Sequence, residues 1–137
     1  MAVLTAEQEA FLAAHRWAVL GTGKKDGSPQ LSTIQYYVDD GKIVIAVSND
    51  RAKWFNARRQ PKVAFLLLDG RKQLIVYGTA ESITGEPERA MLTRRLRKAV
   101  GTQIPPEDLS DEDYGKQLDE TNRVILRITP TTVFGND

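Results

Sequence analysis

Two basic residues stand where a short helix is predicted to begin, within the stretch SNDRAKWFNARRQP from Ser48 to Pro61. Arg51 and Lys53 would lie in the first helical turn, where positive charge opposes the helix dipole. A phosphate or carboxylate of a ligand would reverse this penalty, because it would bind the free backbone N–H groups and both cations together. The pattern therefore indicates an anion site. A solvated basic turn without a ligand is the alternative that these residues leave open.

The helix itself is expected to run from about Arg51 to Arg59 and to end before Pro61. Asn49 or Asp50 is the expected N-cap. The helix dipole favours cations near the C-terminus, and aromatic residues in short helices are more often buried than used as stacking platforms. We therefore predict structural roles for four residues of this helix: the basic residues Arg58 and Arg59 near its end, and the aromatic residues Trp54 and Phe55, which are expected to pack.

A second pattern of interest lies in the preceding strand PQLSTIQYY, whose two faces both mix polar and apolar residues. The strand is expected to place Leu31, Thr33, Gln35 and Tyr37 on one face and Ser32, Ile34, Tyr36 and Val38 on the other. Such a mixture suits a planar heterocycle, because a ring needs apolar surface and its edge needs polar partners. A strand at a subunit interface would show the same mixture, and the two interpretations are compatible.

Composition restricts the remaining chemistry. The chain has 137 residues with 19 Lys+Arg, 18 Asp+Glu and a net charge of +1, which gives no global electrostatic case for nucleic acid or an anionic membrane. The absence of cysteine and the single histidine, His15, exclude thiolate metal sites, cysteine nucleophiles and histidine clusters. No membrane-spanning run or leader pattern is present, so a cytoplasmic protein is expected. The basic cluster from Arg94 to Lys98 leaves a nucleic-acid-binding barrel as a minor alternative.

The elements that would position these residues are mostly strands. Six β-rich runs are predicted: RWAVLGTG, PQLSTIQYYV, KIVIAVS, KVAFLLL, QLIVYGTAESI and NRVILRIT, the last ending before Pro130. Asp-Gly dipeptides at 26–27, 40–41 and 69–70 suit tight hairpin turns. Gly78, inside the fifth run, suggests a bulge of the kind that closes a barrel. These features together predict a small antiparallel barrel.

Three further helices are predicted around these strands. The first begins at a capping box formed by Thr5 and Gln8. Another runs from about Pro87 to Val100 with Gly101 past its end. A short acidic helix begins where Ser110 can act as N-cap towards Asp113.

In this order and spacing, the residues resemble the split β-barrel flavin and deazaflavin oxidoreductases, a pyridoxamine-phosphate-oxidase-like family with an F420-dependent branch. The most specific pieces are DGSPQLSTIQYYVDDGKIVIAVS, RAK and the later N..RQP of the basic helix (Asn56 followed by Arg59, Gln60 and Pro61), GTAE, and RVILRITPTTVFG. The resemblance covers most of the chain. It implies a mainly β fold with peripheral helices, namely a six-stranded antiparallel split β-barrel of the FMN-binding type, formed by residues 1–137 as a single domain.

The resemblance also implies a set of cofactor-binding residues. In relatives, the PQLS strand runs beneath the ring system and the RAK helix start holds the phosphate. Ring contacts are thereby implied for Gln30, Leu31, Ser32, Thr33 and Ile34. Contacts to the phosphate and its neighbouring hydroxyls are implied for Ser48, Arg51, Ala52, Lys53 and Asn56. Several relatives carry an aromatic before the GTAE strand where this chain has GRKQ, so Arg71, Lys72 and Gln73 are the candidates for a lid over the second subunit's site.

The function implied by the resemblance is that of an F420-dependent oxidoreductase, which transfers a hydride between the cofactor C5 and a conjugated small-molecule substrate. FMN is the alternative cofactor, and a non-catalytic F420 carrier is the alternative function. Oxidation of pyridoxamine phosphate is disfavoured, because the chain ends in TTVFGND and not in an arginine-rich motif. A homodimer is expected, with the second subunit over the ring, and no nucleic acid or membrane partner. No side chain is expected to act as a catalytic acid and no metal is expected.

Overall fold

The computed structural model describes residues 3–136. Its strands are β1 (Trp17–Gly23), β2 (Pro29–Asp39), β3 (Lys42–Ser48), β4 (Lys62–Asp69), β5 (Lys72–Ile83) and β6 (Arg123–Asn136). Its helices are α1 (Ala6–Ala13), α2 (Ala52–Arg59), α3 (Glu88–Val100) and α4 (Asp111–Glu120). The six expected strands and four expected helices are therefore confirmed, and their bounds agree within a few residues except at the end of β6.

The six strands close into one antiparallel barrel in the order β1-β2-β3-β6-β5-β4. This arrangement confirms the barrel predicted from the strand pattern. The turn between β2 and β3 has positive φ at both Asp40 (53°) and Gly41 (74°), as a tight hairpin that follows strand twist requires. Inside the barrel, the rings of Tyr36 and Phe65 meet edge to face at 4.9 Å, and the Tyr36 hydroxyl donates to the Leu12 carbonyl of α1 at 2.7 Å.

The last strand is longer than expected, which corrects the prediction that it ends before Pro130. β6 continues to Asn136, and Pro130 lies opposite Gly78 of β5, where the register of the pair shifts. Proline is tolerated here because a bulge interrupts the ladder at the point where its missing N–H would be needed. Gly78 is required at the bulge, since a Cβ there would lie 2.5 Å from the Thr129 carbonyl oxygen. The bulge predicted at Gly78 is confirmed.

The helix ends differ in how their free N–H groups are satisfied. Thr5 and Gln8 form the predicted capping box of α1, and Ser110 accepts from the Asp113 N–H of α4 at 3.1 Å. Both helices carry acidic residues in the first turn. α3 ends at Gly101 with a φ of 78°, as predicted. Within residues 3–136, no helix is both long and apolar enough to cross a membrane.

Candidate functional site

The N-terminus of α2 lacks a side-chain cap. Arg51 takes the N-cap position with extended backbone, and its N–H donates to the Ser48 carbonyl at 3.1 Å as the chain leaves β3. The expectation that Asn49 or Asp50 caps the helix was wrong, because this tight exit from β3 delays the helix until Ala52. No acidic residue stands in the first turn, unlike α1 and α4. The nearest carboxylate is that of Asp50, just before the helix, which lies 4.0 Å from Arg51 Nε with both side chains exposed. The start of α2 is therefore a positive helix end with no acidic residue in its first turn.

Polar contacts fasten α2 to the end of the barrel. The Asn56 amide donates to Gln30 Oε1 at 2.8 Å and Thr22 Oγ1 at 3.3 Å, and its oxygen accepts from Arg59 at 2.9 Å. Arg59 also donates to the Gly23 carbonyl at 2.8 Å, which confirms its structural interpretation. These bonds tie the helix to β1 and β2 and so fix the direction of its N-terminus.

The two aromatic residues of α2 have different environments. Trp54 is buried, with the Arg58 guanidinium 5.4 Å from its ring centre, as the structural interpretation of both residues requires. Phe55 is 53% exposed, so the expectation that it packs inside was wrong for the single chain. The helical period explains the difference, because neighbouring positions face directions about 100° apart and only one can point at the barrel.

A cleft of about 610 Å³ lies beside the start of α2. α3 packs across β2, β3 and β6 and forms one of its walls. The lining residues are Trp17, Thr33, Ile34, Gln35, Ala46, Val47, Ser48, Arg51, Lys53, Thr93, Leu96, Arg97, Val100, Thr102, Gln103 and Arg123. Its volume lies in the usual range for small-molecule and cofactor sites, and its walls combine apolar surface with a few polar groups.

The charges in this cleft have one sign. Four lining residues are cations, and no lining residue among those that the structure describes is an aspartate or glutamate. Burial lowers the pKa of Lys53, and the nearby charges of Arg51 and Arg123 lower it further. Like charges without a counter-charge are unfavourable, so this corner of the cleft would be stabilised by an anion.

The predicted cofactor residues fall into two groups in the structure. Thr33, Ile34, Ser48, Arg51 and Lys53 line the cleft together. The other five lie outside its walls. Gln30 and Asn56 bond to each other, Ala52 opens α2, Leu31 points outward and is 71% exposed, and Ser32 is partly buried on β2. Their proposed contacts with a cofactor stay predictions.

Several cleft residues were missed by sequence reasoning. Arg123 is paired with Ser48 in the β3–β6 ladder, and this pairing brings its cation beside α2. Trp17 enters the cleft as the ladder partner of Gln35. No local signal marks either residue, because each contribution depends on strand pairing. For Arg97, the signal was its place in the basic cluster from Arg94 to Lys98, from which no contact in a cofactor cleft was predicted.

The cleft can bind and orient a ligand but carries few groups for acid–base chemistry. Within residues 3–136, the lining contains no His, Tyr, Cys, Asp or Glu. No group of three or more His, Cys, Asp or Glu side chains in the described part of the chain could hold a metal ion. A basic helix start, polar strand residues and apolar walls together suit an anionic ligand with a planar apolar part.

A closed six-stranded antiparallel barrel with peripheral helices is the architecture of the split-barrel class of oxidoreductase fold. The chain belongs to the pyridoxamine 5'-phosphate oxidase family, whose model matches residues 4–137.

Solved structures agree with this fold. The chain is similar to the conserved hypothetical protein Rv2991 from Mycobacterium tuberculosis, with 25% identity and a TM-score of 0.81 over 99% of this chain and 87% of that one. It is similar to an F420 reductase, with 23% identity and a TM-score of 0.72 over 96% of this chain and 98% of that one. It is also similar to General Stress Protein 26 from Bacillus anthracis, with 19% identity and a TM-score of 0.68 over 94% of this chain and 91% of that one.

Proposed function

We propose that this protein is an oxidoreductase that binds coenzyme F420 in the cleft and acts on a conjugated small-molecule substrate. The observation that carries the proposal is the start of α2. There the helix has no side-chain cap, and the cations of Arg51, Lys53 and Arg123 meet without a carboxylate among the cleft residues described. Such an arrangement suits a phosphate, which would take up both the helix N–H groups and the cations.

The remaining cleft residues fit the ring of such a cofactor. Thr33 and Gln35 of β2 offer hydrogen-bonding groups, while Ala46, Leu96 and Val100 offer apolar surface. When bound, F420 supplies hydride chemistry, which belongs to the cofactor and not to the protein. The chain's own contribution is to bind the cofactor, orient it and hold the substrate against it. Because no His, Tyr, Asp or Glu among the described residues lines the cleft, solvent or the cofactor itself would supply the proton that accompanies reduction.

The choice of F420 over FMN has a specific but limited basis. One structure of similar fold is an F420 reductase, although at 23% identity it supports the fold more than the cofactor. F420 carries several carboxylates beyond its phosphate, which suits the three cations Arg51, Lys53 and Arg123 that meet at the start of α2. FMN is the alternative, since its ring and single phosphate would use the same polar and basic groups.

A homodimer is part of the proposal, and the outer surface of the barrel supports it. In the ladder, Val19, Leu66, Ile75 and Phe134 form one outward row across four strands. Beside it, Ala64 and Tyr77 continue a second row that begins at Leu31. Leu31, Tyr77 and Phe134 are 71%, 44% and 57% exposed. We call these two rows the outer apolar face.

The outer apolar face adjoins the cleft, because Val19 pairs with the cleft residue Thr33. A second copy that covered this face would therefore lie beside the bound ring. Exposed apolar patches of this kind commonly mark subunit interfaces. The lid role of Arg71, Lys72 and Gln73 stays a prediction.

A non-catalytic carrier is the second candidate, because no His, Tyr, Asp or Glu among the described residues lines the cleft to act as an acid or base. Steady-state oxidation of reduced F420 with a panel of enones, quinones and tetrapyrroles distinguishes the two. Turnover with any acceptor class supports the oxidoreductase, and tight binding without turnover across the panel supports the carrier.

The experiment that tests the cofactor is a titration of the purified apoprotein with F420 and, separately, with FMN. Tighter binding of F420 supports the proposal. Tighter binding of FMN would move the protein to the flavin branch of the same family, and no binding of either would overturn the cofactor site.

A further inference from the structure

The α3 helix carries four arginines, and three of them have carboxylate partners. The ion pairs are Arg89–Glu86 at 2.6 Å, Arg94–Asp111 at 3.6 Å and Arg95–Asp39 at 3.2 Å. Arg97 has no carboxylate within 4 Å among residues 3–136, yet it is the arginine of α3 that lines the cleft. The first three are explained by the fold, and the fourth is not.

Arg97 stands apart from the cations at the start of α2. α2 packs on β1, β3 and β5, whereas α3 packs across β2, β3 and β6. The charges that act on Lys53 are those of Arg51 and Arg123, while Arg97 acts on the Tyr114 hydroxyl and lies 5.8 Å from that ring. The cleft therefore has a second basic region, which Arg97 provides in the wall formed by α3.

A structural role for Arg97 accounts for part of this arrangement. The side chain lies in the last turn of α3, where the dipole favours a cation, and it donates to the Gln103 carbonyl at 3.4 Å. That bond is long and engages one of five guanidinium N–H groups. The others remain for a ligand in the cleft, where Thr102 and Gln103 add polar groups beside them.

We propose that Arg97, with Thr102 and Gln103 beside it, binds a carboxylate of the small-molecule substrate. The inference rests on the proposed oxidoreductase function and names its substrate class, namely conjugated carboxylic acids. A phosphate at the start of α2 would neutralise the cations there and leave Arg97 unpaired when the substrate displaces water from the cleft. A planar carboxylate matches the guanidinium fork and removes that cost.

The test compares cinnamate with cinnamamide, which share a conjugated skeleton and differ in charge. Binding to the F420-loaded protein, in which the cofactor would occupy the cations at the start of α2, is followed by isothermal titration calorimetry. Wild type is expected to bind cinnamate roughly tenfold more tightly than the amide, the usual effect of one charge-assisted hydrogen bond. Arg97→Gln is expected to abolish this preference, and Arg97→Lys to retain part of it. The matched control is Lys98→Gln, an exposed cation on the same helix outside the cleft, which should behave as wild type.

Several outcomes would overturn the proposal. They are the absence of any preference in wild type, a full preference in Arg97→Gln, or a preference that depends on Lys53 and not on Arg97 in a parallel Lys53→Ala titration. A large loss of F420 affinity in Arg97→Gln would assign this arginine to the cofactor instead. Thermal unfolding of each variant shows that it is folded. Failure of the cofactor proposal is seen separately and first, as absence of F420 binding by wild type, and would overturn the premise of this inference as well.

Discussion

Arg123 at the start of β6 is the ladder partner of Ser48 at the end of β3, and this pairing places its cation beside Lys53 in the cleft. The anion site therefore has a third basic residue, supplied by a distant part of the chain. The pairing of β3 with β6 therefore brings Arg123 together with the basic residues at the start of α2.

Arg123→Gln is expected to weaken F420 binding about tenfold, because it removes one charged partner of the phosphate. It should also raise the pKa of Lys53, since Arg123 is one of the charges that lower it. Cofactor titration measures the first effect, and the pH dependence of the Lys53 side-chain NMR signal measures the second. Lys62→Gln, at the exposed start of β4, is the matched control. Unchanged values for both quantities would remove Arg123 from the site.

The lowered pKa of Lys53 makes a prediction for the apoprotein alone. Between the lowered pKa of the folded state and the ordinary lysine value, the unfolded chain binds more protons than the folded one. The free energy of unfolding should therefore rise with pH across that window. Below the folded-state pKa of Lys53 both states carry the proton, so the full penalty of the partly buried cation applies. Lys53→Gln should remove the rise. Urea unfolding at a series of alkaline pH values checks it, and identical pH profiles for the two proteins would contradict the account.

Arg89 is expected to hold the α3–α4 side of the site in place. Its buried guanidinium donates to Glu86, to Asp119 and to the carbonyls of Gly115 and Arg123. Arg89→Met should destabilise the fold by roughly 3–5 kcal/mol, because it leaves Glu86 and buried carbonyls without their partner. Chemical denaturation gives the value. Glu86→Gln in the same background should recover part of the loss, and a cost below about 1 kcal/mol would show that the network contributes little.

The outer apolar face predicts the effect of a charge placed within it. Phe134→Glu should convert a dimer into a monomer at micromolar concentration, because a carboxylate would be buried against a second copy. Sedimentation equilibrium measures the mass. Met91→Glu, at an exposed apolar position on α3, is the control and should leave the dimer intact. A wild-type monomer, or a dimer that survives in Phe134→Glu, would contradict the proposed interface.

Much of the fold could be predicted from sequence because its signals are local. Asp40-Gly41 supplies the positive φ values of a hairpin, Gly78 marks the bulge, and Thr5 and Ser110 act as caps. Each of these effects involves residues a few positions apart. Strand order then follows from hairpin connections that leave few alternatives.

The residues that prediction missed depend on distant pairing. β6 passes Pro130 because the pairing with β5 shifts register there, with Thr131 as the extra residue of β6, and Arg123 reaches the cleft because β6 pairs with β3. Phe55 carries a burial signal in its apolar ring, yet its place on α2 turns it outward. Local pattern therefore located the helix start and its two cations, while tertiary pairing supplied the rest of the site.

The most direct test of the central claim is a titration of wild type and Lys53→Ala with F420, beside thermal unfolding of both apoproteins. If Lys53 binds the cofactor phosphate, the substitution should cost about 1.5–3 kcal/mol of binding, roughly a ten- to hundredfold rise in the dissociation constant. The apoprotein should keep its stability, because the change removes a cation from an unfavourable helix end. Equal affinities of the two proteins for F420 would contradict the phosphate site and the function proposed from it.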